Sequence, residues 1–413
     1  MTVTDDSARA NADADFPADF LWGSATAAHQ VEGGNTNSDW WDFEHDPAAP
    51  ARESSGDGID QYHRYADDFA LLKSLGHNCH RLSVEWARIE PAPGELSRSA
   101  IAHYRRVLTA LADQGLTAFV TLHHFTLPRW FAARGGWLAP DAVERFERYC
   151  RHVGAELGEL MPFVCTVNEP QMIALHGYLE GYHPPSISNP TLWKCVGRVL
   201  LDAHHTAVRA MRDESAARTG LVVQLPLLTP ARDDEACRAF CHDLRSEIVD
   251  LHLDGLSPYD GGDWLGVQYY RRQWVDPDSP TLSAEPPPGY ARTQMGWAVH
   301  PDGLTTMLHR AARTGLPLYV TENGIATEDD DERLDYLESH LAAVARARRE
   351  GVDVRGYLHW SAFDNFEWAA GWGPRFGLIA VDRGNDFIRT PKASAFAFAR
   401  VAATGRLDAL RGG

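Results

Sequence analysis

Long apolar runs are missing from this sequence. No stretch of 18 apolar residues occurs, so it offers no membrane-spanning helix. Basic residues are scarce: Lys and Arg number 39 against 57 Asp and Glu, for a formal net charge of −18. Such a field repels phosphate backbones and anionic lipid, which argues against nucleic-acid and membrane partners. Cysteine is sparse, with residues at 79, 150, 165, 195, 237 and 241 and no Cys-x-x-Cys pair. Cys237 and Cys241 stand four apart on an expected helix, a spacing that serves packing. Neither a disulfide framework nor a zinc site follows, and no metal or cofactor is expected. No Gly-x-Gly-x-x-Gly fingerprint follows the first strand-like run, which speaks against a dinucleotide site. Residues 1–15 are polar, rich in Ala and Asp, and lack an apolar signal segment. A disordered tail is expected there, and a reducing cytoplasm is the expected location.

What the chain does have is length and alternation. Its 413 residues with 44% hydrophobic content can bury a large core. Eight short strand-like runs recur: 20–24, 79–84, 117–122, 163–167, 220–225, 264–269, 318–321 and 354–360. Helical spacing fills the intervals. Between Asp60 and Leu75, Tyr62, Tyr65, Phe69 and Leu72 fall at three- and four-residue steps, and Gly76 stops the pattern. Residues 102–111, 141–157 and 334–348 behave likewise. Strands alternating with helices imply parallel strands joined by right-handed crossovers. Eight such units close into an α/β fold, a single (β/α)8 (TIM) barrel over residues 16–413. A doubly wound open sheet is the alternative. Long loops at 25–57, 271–302 and 361–376 should build the active face. The acidic run Glu328 to Glu332 reads as a solvated loop.

Polar and aromatic residues collect where the strands should end. Two of them are glutamates: Glu169 in Thr166-Val-Asn-Glu-Pro170, and Glu322 in Tyr319-Val-Thr-Glu-Asn-Gly324. Two carboxylates at the ends of parallel strands suit glycosidic-bond hydrolysis, one as acid and base, the other as nucleophile or water activator. Around them stand Gln30, Glu32, Arg81, Glu85, His123, His124, Asn168, Gln268, Tyr269, Tyr270, Trp360, Glu367 and Trp368. Each alone has a bland reading. Glu169 could be a helix-start carboxylate, Glu322 a turn residue, Arg81 an ion-pair partner, and Trp40 and Trp41 simple packing. His123-His124 is a poor metal pair, because neighbours on a strand face opposite ways. A whole ring of buried polar groups is harder to explain as packing, because unpaired ones are costly.

These residues carry a resemblance. The chain resembles glycoside hydrolase family 1, the β-glucosidase and β-galactosidase family, from residue 16 to about 400. The shared motifs are Phe20-Leu-Trp-Gly-Ser-Ala-Thr-Ala-Ala-His-Gln-Val-Glu-Gly33, Thr166–Pro170, Tyr319–Gly324, Trp360-Ser-Ala-Phe-Asp-Asn-Phe-Glu-Trp368, Arg375-Phe-Gly-Leu378 and Arg389-Thr-Pro-Lys392. The resemblance implies a retaining double displacement with Glu322 as nucleophile and Glu169 as acid, then base. It places Arg81 and Tyr270 beside the nucleophile and Asn168 at the sugar 2-hydroxyl. Gln30, His124, Glu367 and Trp368 would hold the other hydroxyls; Trp360 would lie under the sugar, and Phe376 would form a nearby wall. Only His124 of the histidine pair should face inward, on the motif alone.

The resemblance also implies a small β-glycoside as substrate, with β-D-glucosides the leading class. β-Galactosides and β-fucosides are close alternatives. The family's 6-phosphoglycosidases typically carry a small polar residue where Glu367 stands, so a non-phosphorylated sugar is implied. Two departures border the pocket. Phe125 replaces the usual Trp after the pocket histidine and lacks its N–H donor; Gln268 replaces the usual Asn. A modified sugar, such as a deoxygenated one, is therefore a further reading. A sugar-binding protein without turnover and transglycosylation are further alternatives, and a metal-dependent barrel hydrolase is the least favoured.

Overall fold

The structure, a computed structural model, describes residues 14–258 and 260–412. Residues 1–13 of the expected disordered tail lie outside the described residues. Its last member, Asp15, accepts a hydrogen bond from the Leu407 backbone at 2.9 Å.

All eight strands lie where the sequence places them: β1 (Leu21–Ala25), β2 (Cys79–Ser83), β3 (Thr117–His123), β4 (Phe163–Asn168), β5 (Arg218–Gln224), β6 (Trp264–Gln268), β7 (Leu318–Asn323) and β8 (Val354–Trp360). They form a closed parallel barrel in which each strand pairs with its sequence neighbours and β8 returns to β1. The alternative of an open doubly wound sheet is thereby excluded. Helices pack outside: α1 (Gln61–Ser74), α2 (Arg98–Asp113), α3 (Ala142–Leu157), α4 (Leu192–Glu214), α5 (Glu235–Arg245), α6 (Pro301–Ala312), α7 (Asp330–Arg349) and α8 (Ala393–Thr404). Strands covered on both faces need apolar residues throughout, which explains their near-continuous hydrophobic runs.

The barrel interior is plugged by rings from two strand pairs on opposite sides of the barrel. Phe119 of β3 stacks on Phe163 of β4 at 4.2 Å and meets Trp264 of β6 and Tyr319 of β7. This layer seals the N-terminal end and leaves the C-terminal end for chemistry.

Two local readings are corrected. The run Glu328 to Glu332 is largely not loop. Asp329 caps α7 by accepting from the Asp331 N–H at 2.9 Å, and Asp330, Asp331 and Glu332 fill its first turn. Acidic side chains are favoured there by the exposed N–H groups and the positive end of the helix dipole. The excursion after β1 also holds two short helices, Ala28–Val31 and Asp39–His45. Within it Trp40 is buried against Trp368 at 4.7 Å, which is packing.

Among the described residues, five short strands lie outside the barrel, two of them within the expected loop 271–302. Leu227–Pro230, Arg272–Val275 and Ser283–Ala284 form a small sheet above β5 and β6. The hairpin Ile379–Asp382 with Ile388–Pro391 leads to Arg389 and Lys392. Arg389 pairs with buried Asp68 of α1 at 2.8 Å, and Lys392 pairs with Asp364 at 2.9 Å. Removing one partner of a buried pair strands the other charge, so Arg389→Met should cost about 3 kcal/mol. Urea unfolding at pH 7 should show it as a lower midpoint, with Asp68→Leu/Arg389→Met recovering much of the loss. No helix among the described residues is long and apolar enough to cross a membrane.

Candidate active site

The strand ends open into a cavity of about 400 Å³. Its inner wall includes His124, Asn168, Glu169, Tyr270, Glu322, Trp360, Glu367, Trp368 and Phe376. Nine of the eleven site residues expected from sequence therefore line one space. The other two, Arg81 and Gln30, are fully buried just behind the wall.

Side-chain direction depends on irregular pairing. On β7, Tyr319 points into the barrel, and simple alternation would turn Thr321 the same way and Glu322 outward. The register against β6 shifts between Val320 and Glu322, and against β8 between Val320 and Asn323. Glu322 thus faces the cavity, while Asn323 turns to Tyr336 of α7 and Tyr357. β4 repeats the device: a shift between Cys165 and Asn168 brings Asn168 inward. Such bulges re-aim side chains beside active sites. Glu169 follows at φ 47°, a left-handed conformation rarely taken by a non-glycine residue, with its N–H bonded to Val222 O at 2.9 Å.

The two carboxyls have unlike surroundings. Glu322 Oε1 accepts from Arg81 Nη1, and Oε2 from Tyr270 OH at 2.6 Å. Glu169 Oε1 has one neutral partner, Gln224 Nε2, at 3.2 Å. Burial pushes both carboxyls up, but Arg81 and Tyr270 pull Glu322 back down. For Glu169, burial and then the Glu322 charge hold the pKa well above the usual carboxylate range. Of this coupled pair, Glu322 gives up its proton first.

Arg81 is the hub. Besides Glu322, it donates to Asn168 Oδ1 at 2.6 Å and Thr121 Oγ1 at 3.2 Å. Gln268 Nε2 also donates to Asn168 Oδ1, at 3.0 Å. With its oxygen doubly engaged, Asn168 turns its amide nitrogen toward the cavity and His124 Nε2, at 3.3 Å. Burial and the Arg81 charge hold His124 well below the usual histidine range, so it is neutral. His123 points the other way, into an outer cluster with Trp137 at 5.3 Å. The extra methylene of Gln268 thus still reaches Asn168.

Opposite the carboxyls, Glu367 is raised to about 8 by burial and by Glu322. Gln30 Nε2 lies 3.5 Å from Glu367 and donates to Phe366 O at 2.7 Å. Gln30 Oε1 is buried without a partner among the described residues. A neutral acid, an open amide oxygen and the rings of Trp360 and Trp368 suit a polyhydroxylated ring with apolar faces. Phe125 packs on Trp368 at 5.0 Å, with φ 68°.

The outer wall was not read from the sequence. Gln224, Glu180, Tyr182, Arg271, Arg272 and Trp297 line it. Gln224 ends β5 just as Asn168 ends β4, so its strand-end position was the available signal. The others sit on loops whose folding no local pattern reveals.

A family model described as glycosyl hydrolase family 1 matches residues 12–255 and 259–406. The chain is 32% identical over 415 residues to "Beta-glucosidase A" of Thermotoga maritima, covering 89% of this chain and 93% of that protein. It is 34% identical over 432 residues to a "Bifunctional beta-D-glucosidase/beta-D-fucosidase" of Bifidobacterium breve, covering 89% and 94%. The structure of a β-glycosidase from Pyrococcus horikoshii superposes with TM-score 0.88 at 36% identity, covering 96% of this chain and 97% of the other.

Proposed function

The chain belongs to glycosyl hydrolase family 1 and is a β-glycosidase; from that premise we propose that it is a retaining, exo-acting β-D-glucosidase. The observation that carries this reading is the asymmetry of the two carboxyls. Glu322, held by Arg81 and Tyr270, is the one able to stay ionised. Glu169, with a single amide partner, is the one able to keep its proton.

In the first step Glu169 protonates the departing glycosidic oxygen while Glu322 Oε1 or Oε2 attacks the anomeric carbon. The C–O bond to the leaving group breaks, and a glycosyl ester forms on Glu322. In the second step Glu169, now ionised, takes a proton from water, and the water oxygen displaces Glu322. Tyr270 and Arg81 stabilise the carboxylate as it leaves. Asn168 offers an N–H to the 2-hydroxyl, a contact that strengthens as the ring approaches an oxocarbenium ion. The two inversions return the β-configuration.

Hydrolysis of p-nitrophenyl β-D-glucoside followed by proton NMR tests this. β-Glucose should appear first and mutarotate later. An α-anomer first product, or no turnover across a panel of β-glycosides by folded protein, would overturn the reading. The Bifidobacterium relative supports β-D-fucosides as a second substrate class.

Phe125 supplies a sharper probe. Its ring stands at the cavity wall against Trp368 where an indole N–H could reach a sugar hydroxyl. One added hydrogen bond is worth about 1 kcal/mol. Phe125→Trp should therefore lower KM for p-nitrophenyl β-D-glucoside roughly fivefold. The family resemblance puts this position on the 3-hydroxyl side of the sugar, so KM for the 3-deoxy analogue should stay unchanged. Equal effects on both sugars would place the contact elsewhere.

A further inference from the structure

Two arginines on the outer wall form no ion pair among the described residues. Arg271 Nη2 donates to the neutral Gln273 Oε1 at 2.9 Å. Arg272 donates to Thr229 Oγ1 at 3.0 Å and Tyr290 OH at 3.1 Å. Each guanidinium lies over an indole, Arg271 over Trp297 at 5.1 Å and Arg272 over Trp274 at 5.0 Å. These rings fix the orientation of the guanidiniums without neutralising them.

Of the acidic groups of the same cavity, Glu169 and Glu367 lie at the sugar, and the other three have partners of their own. Glu322 is held by Arg81, and Glu285 by Arg292, which stands outside the lining. Glu180 accepts from His176 Nδ1 at 2.6 Å. Burial lowers the pKa of Arg271, and Tyr182 and Glu180 only partly offset it. Both arginines are half-buried, and a guanidinium held partly out of water with only neutral hydrogen-bond partners is well placed to be completed by an anion.

The arginines stand on the leaving-group side. Tyr182 is within electrostatic reach of both Arg271 and Glu169, the proton donor. The strand Arg272–Val275 pairs with Leu227–Pro230, which directly follows Gln224, the partner of Glu169. The sugar side, by contrast, is closed by Glu367, Gln30 and Trp360.

We propose that the leaving-group side of the cavity recognises an oxyanion, so that the preferred substrates are β-glycosides whose aglycone carries a carboxylate or an equivalent anionic group held by Arg271 and Arg272. The planar donor fork of arginine matches such a group in two hydrogen bonds. The net charge of −18 repels anions at long range, so the preference must arise locally at this pair. The proposal rests on the glucosidase reading above.

The test compares kcat/KM for 4-carboxyphenyl and 4-carbamoylphenyl β-D-glucosides, which share a shape and have leaving phenols of similar acidity. The native enzyme should favour the carboxylate about tenfold. Arg271→Gln/Arg272→Gln should bring that ratio close to one. A 4-sulfophenyl β-D-glucoside favoured to the same degree would identify the recognised chemistry as any oxyanion; failure to favour it would restrict the chemistry to carboxylates. Equal rates for the two native reactions, or a preference that survives in the double variant, overturns the proposal and leaves the glucosidase reading intact. No turnover of these or of p-nitrophenyl β-D-glucoside overturns the glucosidase reading and this proposal with it.

Discussion

Glu322→Ala should lower kcat/KM for p-nitrophenyl β-D-glucoside by at least ~10⁴-fold, because on the proposed mechanism Glu322 is the group that forms the glycosyl ester. Glu169→Ala should behave differently. Its loss removes general acid–base help, worth ~10²- to 10⁴-fold, and the deficit should shrink for 2,4-dinitrophenyl β-D-glucoside, whose leaving group needs no proton. Added azide separates the roles further. In Glu322→Ala it occupies the vacated side of the sugar and attacks once, giving the α-glucosyl azide. In Glu169→Ala it attacks the ester on Glu322 after a first inversion, giving the β-glucosyl azide. Identical azide products from both variants, or an active Glu322→Ala, would sink the assignment.

Arg81→Met should lower kcat/KM at pH 7 by ~10²-fold or more, the scale of losing a preorganised charge beside the reacting atoms. Its effect on the pH profile is more diagnostic. On the proposed mechanism activity needs Glu322 ionised and Glu169 protonated, so the acid limb should follow Glu322 and the alkaline limb Glu169. Arg81 favours the ionised form of Glu322 by contact. Without that positive charge, ionisation becomes harder and the pKa rises, so the acid limb should move to higher pH. Tyr270→Phe removes one donor and should move it the same way by less. The two carboxyls titrate as a coupled pair, so the shifts belong to the profile as a whole. Glu169→Gln should flatten the alkaline limb. Initial rates between pH 4 and 9, with circular dichroism confirming folding, decide the matter. An acid limb unmoved in both variants would show that Arg81 and Tyr270 do not set the charge of Glu322.

Much of this was legible because it rests on local order. All eight strands followed from short apolar runs bounded by turn residues, and their number and alternation specified the closed barrel. The helix beginning at Asp330 was misread because a cluster of acids looks the same in a loop as at a helix N-terminus. What differs is whether backbone N–H groups stand behind it. The small sheet of Leu227–Pro230, Arg272–Val275 and Ser283–Ala284 escaped notice for a related reason. Its strands are two to four residues long and pair only because the barrel brings two loops together. Arg271 and Arg272 could be seen in the chain as a basic pair, but not as two cations that form no ion pair among the described residues.

By itself, the sequence determined the barrel, the pair of carboxylates and the ring of polar residues around them. Each depends on residue type and on spacing along the chain, and the motifs carrying them are continuous. Only the tertiary structure decided which way those residues face and what touches them. Two-residue alternation from Tyr319 would have turned Glu322 out of the barrel, and the register shift on β7 turns it in. The unlike surroundings of Glu169 and Glu322 come from Arg81, Tyr270 and Gln224, which stand on β2, just beyond β6 and on β5. Electrostatic energy depends on distance through space, and no spacing along the chain encodes it.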